Sequence, residues 1–375
     1  MNELKKSGVI LLCILLLALF FIYVYPYITY TTDPEQLFEF DLRTTKEGDQ
    51  YYAVTGYIGQ EQRFSYMTCT VPAEYMGIPV YEISEAAFRD SRIYRLHISE
   101  GIKSIGLNAF VRSSFVEVIL PNGLESIGEN IFSGCHKLKK VTLPSDLKII
   151  PRAAFSHCNA LEAITLSDSV HTIRECAFSG CSSLKTLQIP DSVISIGECA
   201  FSGCSSLNSI RIPDKVAIID NGTFAGCTAL TEVIIPKKVY YIKESAFSGC
   251  RSLKKLSIPS GVTDIGERAF EMCDGLELIT IPEGVISIPN GAFQKCTALK
   301  EVILPASITT IGEYAFDGCT ALKTITMATT IKSIKRDAFH LCPINTVIVI
   351  GEESDFHFRN TFYHDCQFIY SYKDE

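Results

Sequence analysis

A four-residue frame, Phe-x-x-Cys, returns every 23 residues through the larger part of the chain. Its aromatic positions are Phe132, Phe155, Phe178, Phe201, Phe224, Phe247, Phe270, Phe293, Phe316 and Phe339. Three places after each stands a cysteine, from Cys135 to Cys342. A fixed period of this length marks a solenoid, in which each repeat buries its apolar face only by stacking on its neighbours. A chain of 375 residues would ordinarily be divided into two or three domains, but a repeat array grows in one dimension and reads as one elongated domain.

One unit, residues 181–203, reads CSSLKTLQIPDSVISIGECAFSG. Leu184, Leu187 and Ile189 are spaced as in a strand with one buried face, Gln188 pointing away between the last two. Pro190 ends that strand because it has no N–H to give to a ladder. Val193 and Ile196 are expected to point inward from the returning segment, and Gly197 to supply a tight or left-handed turn. Phe201 is the large apolar group of the coil. Upstream the frame continues with Phe88 and Phe110, but Ser91 and Ser113 fill the cysteine slot.

This pattern, LxxLxIPxxVxxIGxxAFxxC, resembles the BspA-like leucine-rich repeat family over roughly residues 70 to 350. The leader from Val71-Pro72 through Gly77-Ile78-Pro79-Val80 to Ala87-Phe88 resembles that family's as well. The resemblance implies a leucine-rich repeat solenoid, a right-handed β-rich coil with a parallel sheet on one face and short turns or 3-10 segments on the other. It also implies surface display and binding of host or cell-surface proteins, with no catalytic residue.

The ends depart from the repeat. Residues 8–32 carry no charged side chain and follow Lys5 and Lys6. They are long enough for a membrane span, and they offer no small-x-small exit for cleavage. The expected organisation is a cytoplasmic tail over 1–7 and a transmembrane signal anchor over 8–32. A linker and β cap over 33–70, a solenoid over 71–350 and a C-terminal cap over 351–375 follow. The two lysines place the N-terminus inside and the repeats outside the cell membrane. In the cap, Phe38, Phe40 and Leu42 alternate with Glu39 and Asp41, and Tyr52, Val54 and Tyr57 complete a hairpin. Phe368-Ile369-Tyr370 is expected to cover the other end.

Fifteen cysteines suggest disulfides or metal until the repeat geometry is applied. Equivalent positions on adjacent rungs lie about 4.8 Å apart with parallel side chains, whereas a disulfide needs Cβ atoms about 3.8 Å apart. The ladder cysteines are therefore expected to be reduced, buried and packed as small hydrophobes. Cys176 and Cys199, one repeat apart outside the ladder, are the better disulfide pair, under the same geometric objection. His364, Asp365 and Cys366, with His357, lack metal-ligand spacing. No nucleophile elbow, P-loop or His-Glu-x-x-His occurs, so no enzyme, cofactor or metal is expected. Formal charge is −8, with no basic footprint for nucleic acid.

Binding is instead expected at the outward residue of each strand: Gln188, Arg211, Ile234, Ser257, Thr280 and Ile303. A second candidate is the basic and aromatic cluster of Lys237, Lys238, Tyr240, Tyr241 and Lys243. The expected partner is an extracellular protein or glycan, met by an adhesion or protein-binding module. The alternative is a self-associating envelope protein or a non-catalytic scaffold for a surface complex. The sequence leaves the oligomeric state open.

Overall fold

A computed structural model describes residues 37–59, 68–352, 358, 361 and 366–371. The anchor expected over 8–32 lies outside these residues, as do His357, His364 and Asp365. Among the described residues there is no helix, and hence none long and apolar enough to cross a membrane. The chain divides into two compact units, one ending at Pro144 and the other beginning at Ser145.

In the first unit β1 (Phe38–Thr44) and β2 (Gln50–Tyr57) form an antiparallel hairpin, with Phe40 opposite Val54 and Leu42 opposite Tyr52. The chain continues through β3 (Thr68–Val71), β4 (Glu74–Tyr75), β5 (Ile78–Ile83), β6 (Arg95–Ile98) and β7 (Ser104–Ile105). It then adds β8 (Glu117–Ile119), β9 (Ser126–Ile127) and β10 (Lys140–Thr142). Two ladders result. One runs β1-β2-β5-β7-β9, so the hairpin joins a coil edge through parallel pairing of β2 with β5; the other runs β10-β8-β6-β3. An edge left bare would offer unpaired backbone groups, and the hairpin occupies it. Phe38 packs 5.8 Å from Phe88, which begins an aromatic column through Phe110 to Phe132.

The second unit repeats this coil with strict register. Ser209–Arg211 pairs in parallel with Glu232–Ile234, residue 209 opposite 232 and 211 opposite 234. The same ladder resumes at Leu278–Thr280 and runs through Glu301–Ile303, Thr324–Ala328 and Thr346–Ile350 to Gln367–Ser371. The segment containing Phe368 to Tyr370 thus adds a further parallel strand. A 23-residue period makes this register automatic, because a slip of one residue would turn every buried side chain outward.

Each coil holds two more hydrogen-bonded sides. Short strands such as Thr172–Ile173 and Ser195–Ile196 form a second parallel ladder from the segment read as a mere return. Along the turns, the N–H groups of Cys199, Phe201 and Gly203 donate to the carbonyls of Asn221, Thr223 and Ala225 on the next rung, at 2.8, 2.9 and 2.7 Å. The back of the coil is therefore made of turns tied rung to rung. Inside it, the phenylalanines from Phe155 to Phe339 form one column of stacked rings with centroids 5.3 to 5.7 Å apart. That spacing exceeds the roughly 4.8 Å between rungs, as offset stacking requires.

The role expected of Gly197 is corrected. Its φ is not positive; a Cβ there would stand 2.6 Å from the backbone nitrogen of Glu175 on the preceding rung. Glycine is needed because two backbones approach too closely for any side chain. The left-handed residues lie elsewhere, two per turn, at the positions of Cys199 and Gly203. Other rungs place Cys176, Ser245, Arg268 and Tyr314 at the first, and His157, Met272 and Lys295 at the second.

Candidate ligand-binding face

The ladder cysteines are free thiols sealed in the core. Burial pushes Cys135, Cys181 and Cys227 up to about 12, and Cys204, Cys250 and Cys273 well above the ordinary value. They also do more than fill space. The Cys204 Sγ donates to the carbonyl of Phe178 at 3.2 Å, and the Sγ atoms of Cys227, Cys250 and Cys273 do the same to Phe201, Phe224 and Phe247. Ser113 makes this bond from the same slot to Phe88, so at that rung a serine hydroxyl takes the place of the thiol.

With the coil interior closed, what remains for a ligand is the surface of the strand ladder. Gln188, Arg211, Ile234, Ser257 and Thr280 are exposed, while Ile303 is half-buried. Ile303 lies in a continuous stretch of ladder, flanked in register by Thr280 and Thr326, whose branched side chains shelter it. Ile234 is 52% exposed, with Arg211 beside it in register and only the short Ser257 one repeat on.

A groove of about 540 Å³ opens beside this row, lined by Asp168, Gln188, Asp191, Ser192, Arg211 and Lys215 above Leu187, Ile189 and Pro190. Arg211 bridges its rim, its guanidinium 2.6 Å from Asp191 and 3.2 Å from Asp214. Those carboxylates hold the guanidinium above its ordinary range, the Asp191 hydrogen bond contributing most. The bridge fixes a flexible side chain in an exposed setting, so the groove has defined donors and acceptors before a partner arrives. Pro190 and Pro213 each accept a turn hydrogen bond, from Val193 and Val216 at 3.0 Å, and so set where the aspartates project.

The acidic side of this groove was not anticipated, although the signal is present. Asp168, Asp191 and Asp214 occupy the position after the proline slot on three successive rungs, and Lys237 takes it on the next. Ile194 and Ile286 were likewise missed: both are exposed, and they lie two repeats to either side of Tyr240 on the flank of the second ladder.

The basic and aromatic cluster is split by the structure. Lys237, Lys238 and Tyr240 are exposed, but Tyr241 lies in the short strand Tyr241–Ile242 and is half-buried. Lys243 is tied to Asp220 at 3.0 Å. In a column beside the strand face, charges on adjacent rungs pair, Lys185 with Glu162 at 3.3 Å and Lys300 with Glu277 at 2.8 Å. Among the described residues no group of three or more His, Cys, Asp or Glu side chains converges as a metal site would require.

A family model for the BspA type leucine rich repeat region matches residues 81–188, 148–276 and 241–369. The chain belongs to the BspA-type leucine-rich repeat family. Among solved structures, a leucine rich cell surface protein from Faecalibacterium prausnitzii is 26% identical, with a TM-score of 0.57, covering 88% of this chain and 96% of that one. A leucine-rich repeat protein from Bacteroides ovatus is 23% identical, with a TM-score of 0.57, over 92% of this chain and 100% of the other. The pneumococcal vaccine antigen PcpA shares the fold at 19% identity and a TM-score of 0.51, over 92% and 98% of the two chains. No curated protein matches the sequence significantly. The BspA-type repeat thus accounts for the ladder register, the phenylalanine column and the buried thiols together.

Proposed function

We propose that this BspA-type protein is a non-catalytic binding module, held at the outer face of a cell membrane by residues 8–32, that engages an extracellular protein through its strand face. The observation that carries this reading is the juxtaposition of exposed Ile234 with the Arg211 bridge and its groove. An aliphatic side chain left in water beside an ordered, charge-lined depression combines an apolar anchor with a polar rim, the anatomy of a protein-binding surface. The cell-surface description of the Faecalibacterium relative supports the location. In this reading the module serves adhesion.

Binding of the purified protein to an array of matrix proteins, cell-surface proteins and glycans tests the proposal, with attachment of cells lacking the gene as the second arm. A specific protein ligand whose binding falls on Ile234→Asp is the expected result. No binding together with unchanged attachment overturns it.

One observation favours a second reading, self-association. In the column after the proline slot Asp168, Asp191 and Asp214 are followed on the next rung by Lys237, with Lys238 beside it, so this stretch of the edge passes from acidic to basic. Two copies laid antiparallel would match opposite charges. Concentration-dependent dimerisation in sedimentation, weakened by salt and without any foreign ligand, separates this reading from the first.

A further inference from the structure

The N-terminal hairpin has two unlike faces. Phe38, Phe40 and Leu42 alternate in β1 with Glu39 and Asp41, which are exposed on the opposite side. There Arg43 holds Asp41 at 3.1 Å and also binds Glu82. On the apolar side Phe38 is buried against Phe88. Beyond it Phe40, Tyr52 and Tyr75 are only half-buried, and Leu42 and Met76 are 45% and 68% exposed.

These side chains form one surface. Phe40 and Tyr75 stack at 4.0 Å and an interplanar angle of 8°. Tyr52 stands edge-on to them, 5.9 Å from Phe40 and 4.9 Å from Tyr75, and its hydroxyl lies 4.0 Å from the Met76 Sδ. With Phe38 they line a shallow hollow of about 430 Å³, and Leu42 extends the face, opposite Tyr52 in register.

We propose that this aromatic face lies against the bilayer that holds the chain, with Tyr52, Tyr75 and Met76 in the headgroup layer of the outer leaflet; the inference rests on the membrane attachment through residues 8–32 proposed above. Reach is the first argument. Residues 33–37 alone separate the uncharged stretch from β1, and the six peptide steps from Thr32 to Phe38 span at most about 22 Å. The bilayer is thus the nearest large apolar surface to the hairpin, whatever proteins are in solution. Side-chain chemistry is the second. Tyrosine is favoured where hydrocarbon meets water, because its ring takes the apolar side and its hydroxyl stays wet. Charge is the third. Glu39 and Asp41 alternate away from the face, and Glu74 alternates with Tyr75 in β4, so docking leaves these carboxylates in water. The cap then meets the membrane at two points, the anchor and the hairpin, which sets the direction in which the first coil leaves it.

The chain has no tryptophan, so one substitution supplies one reporter. Full-length protein carrying Leu42→Trp, in phosphatidylcholine vesicles, should show blue-shifted emission that is quenched by lipids brominated near the headgroup. Phe20→Trp, midway along 8–32, should be quenched by bromines deep in the acyl chains. Ile119→Trp, exposed in β8 on the other ladder, should not be quenched. Adding Met76→Asp to the Leu42→Trp chain forfeits the burial of one methionine, which should lower the ratio of docked to free cap by roughly 10- to 100-fold and remove the quenching. In the unaltered chain, a lipid with a photoactivatable headgroup should label peptides containing Tyr52 and Met76, a measurement that does not depend on any variant folding. Quenching at Phe20→Trp without quenching at Leu42→Trp, and without label at Tyr52 or Met76, overturns the docking and leaves the anchor standing. Quenching at none of the positions overturns both. Equal quenching at Ile119→Trp would show collapse onto lipid without a chosen face, and overturns the docking as well.

Discussion

The thiol of Cys204 donates to the carbonyl of Phe178 across one rung at 3.2 Å, while the ring of Phe201 stacks on that of Phe178 at 5.5 Å and an interplanar angle of 3°. The two residues of the repeated frame thus act on the same preceding rung in different ways, Phe201 through apolar area and Cys204 through one polar bond. Removing the ring leaves a cavity in a column with no room to collapse, and Phe201→Ala is expected to cost about 3–5 kcal/mol. Cys204→Ala forfeits the bond and leaves the Phe178 carbonyl only its turn partner, the Cys181 N–H, at an expected cost of about 1–2 kcal/mol. Cys204→Ser should cost least of the three, because Ser113 already makes this bond from the same slot. Denaturant unfolding of the three variants checks the order, and equal losses for Phe201→Ala and Cys204→Ala would refute it.

The buried thiols give the fold an alkaline limit. Burial raises the folded pKa of Cys135, Cys181 and Cys227 to about 12 from an ordinary 9.0. An unfolded chain loses these protons near pH 9, and the folded chain keeps them until about pH 12. Their contribution to stability is therefore fully present below pH 9 and is lost as pH rises toward 12. The urea midpoint, measured in reductant, should be flat between pH 7 and pH 8 and fall above pH 9. Cys204→Ala should flatten that fall, because one titrating thiol has gone; an unchanged slope would assign the alkaline loss to other groups.

Legibility of the sequence followed the number of rungs that share a cause. Phe201 and Leu187 could be placed inside because every turn repeats them, and the strand register followed from the same spacing. The second ladder at Ser195–Ile196 escaped notice because two residues carry no alternation to read. The left-handed position of Cys199 was hidden for another reason. Glycine marks such sites by composition, yet here Ser245, Arg268 and Tyr314 occupy them, held by rung-to-rung hydrogen bonds that no local pattern records. At the groove, Arg211 was visible as an outward residue. Its bridge was not, because Asp191 comes from the preceding rung, which the period brings alongside it, and only Asp214 is local, three residues on.

Two glycines in one unit make opposite predictions. Gly203 has a φ of +72°, yet the atoms nearest a new Cβ are 3.6 Å away, and His157, Met272 and Lys295 take the same conformation on other rungs. Gly203→Ala is therefore limited to the left-handed penalty of about 1–2 kcal/mol. Gly197 has ordinary φ but no space, and Gly197→Ala must push the backbone at Glu175 away, with an expected loss above roughly 3 kcal/mol. Thermal unfolding of both variants decides, and a larger loss at Gly203 would mean that conformation outweighs approach here.

The strand face predicts a separation of binding from stability. Ile234 is 52% exposed, so Ile234→Asp removes little buried area and is expected to change folding stability by less than about 0.5 kcal/mol. At a protein interface the same change places a charge where the partner presents apolar surface, and affinity is expected to fall by at least roughly 30-fold, about 2 kcal/mol. Arg211→Ala should lower affinity through a different route, by freeing Asp191 and Asp214 to repel and by unfixing the groove rim. Phe201→Ala supplies the contrast, since it weakens the fold without touching the face. Isothermal titration with the ligand from the binding array, run beside melting curves, measures both quantities. If Ile234→Asp and Phe201→Ala lowered affinity and stability in the same proportion, binding at Ile234 would be a reflection of folding and the interface would have to lie elsewhere.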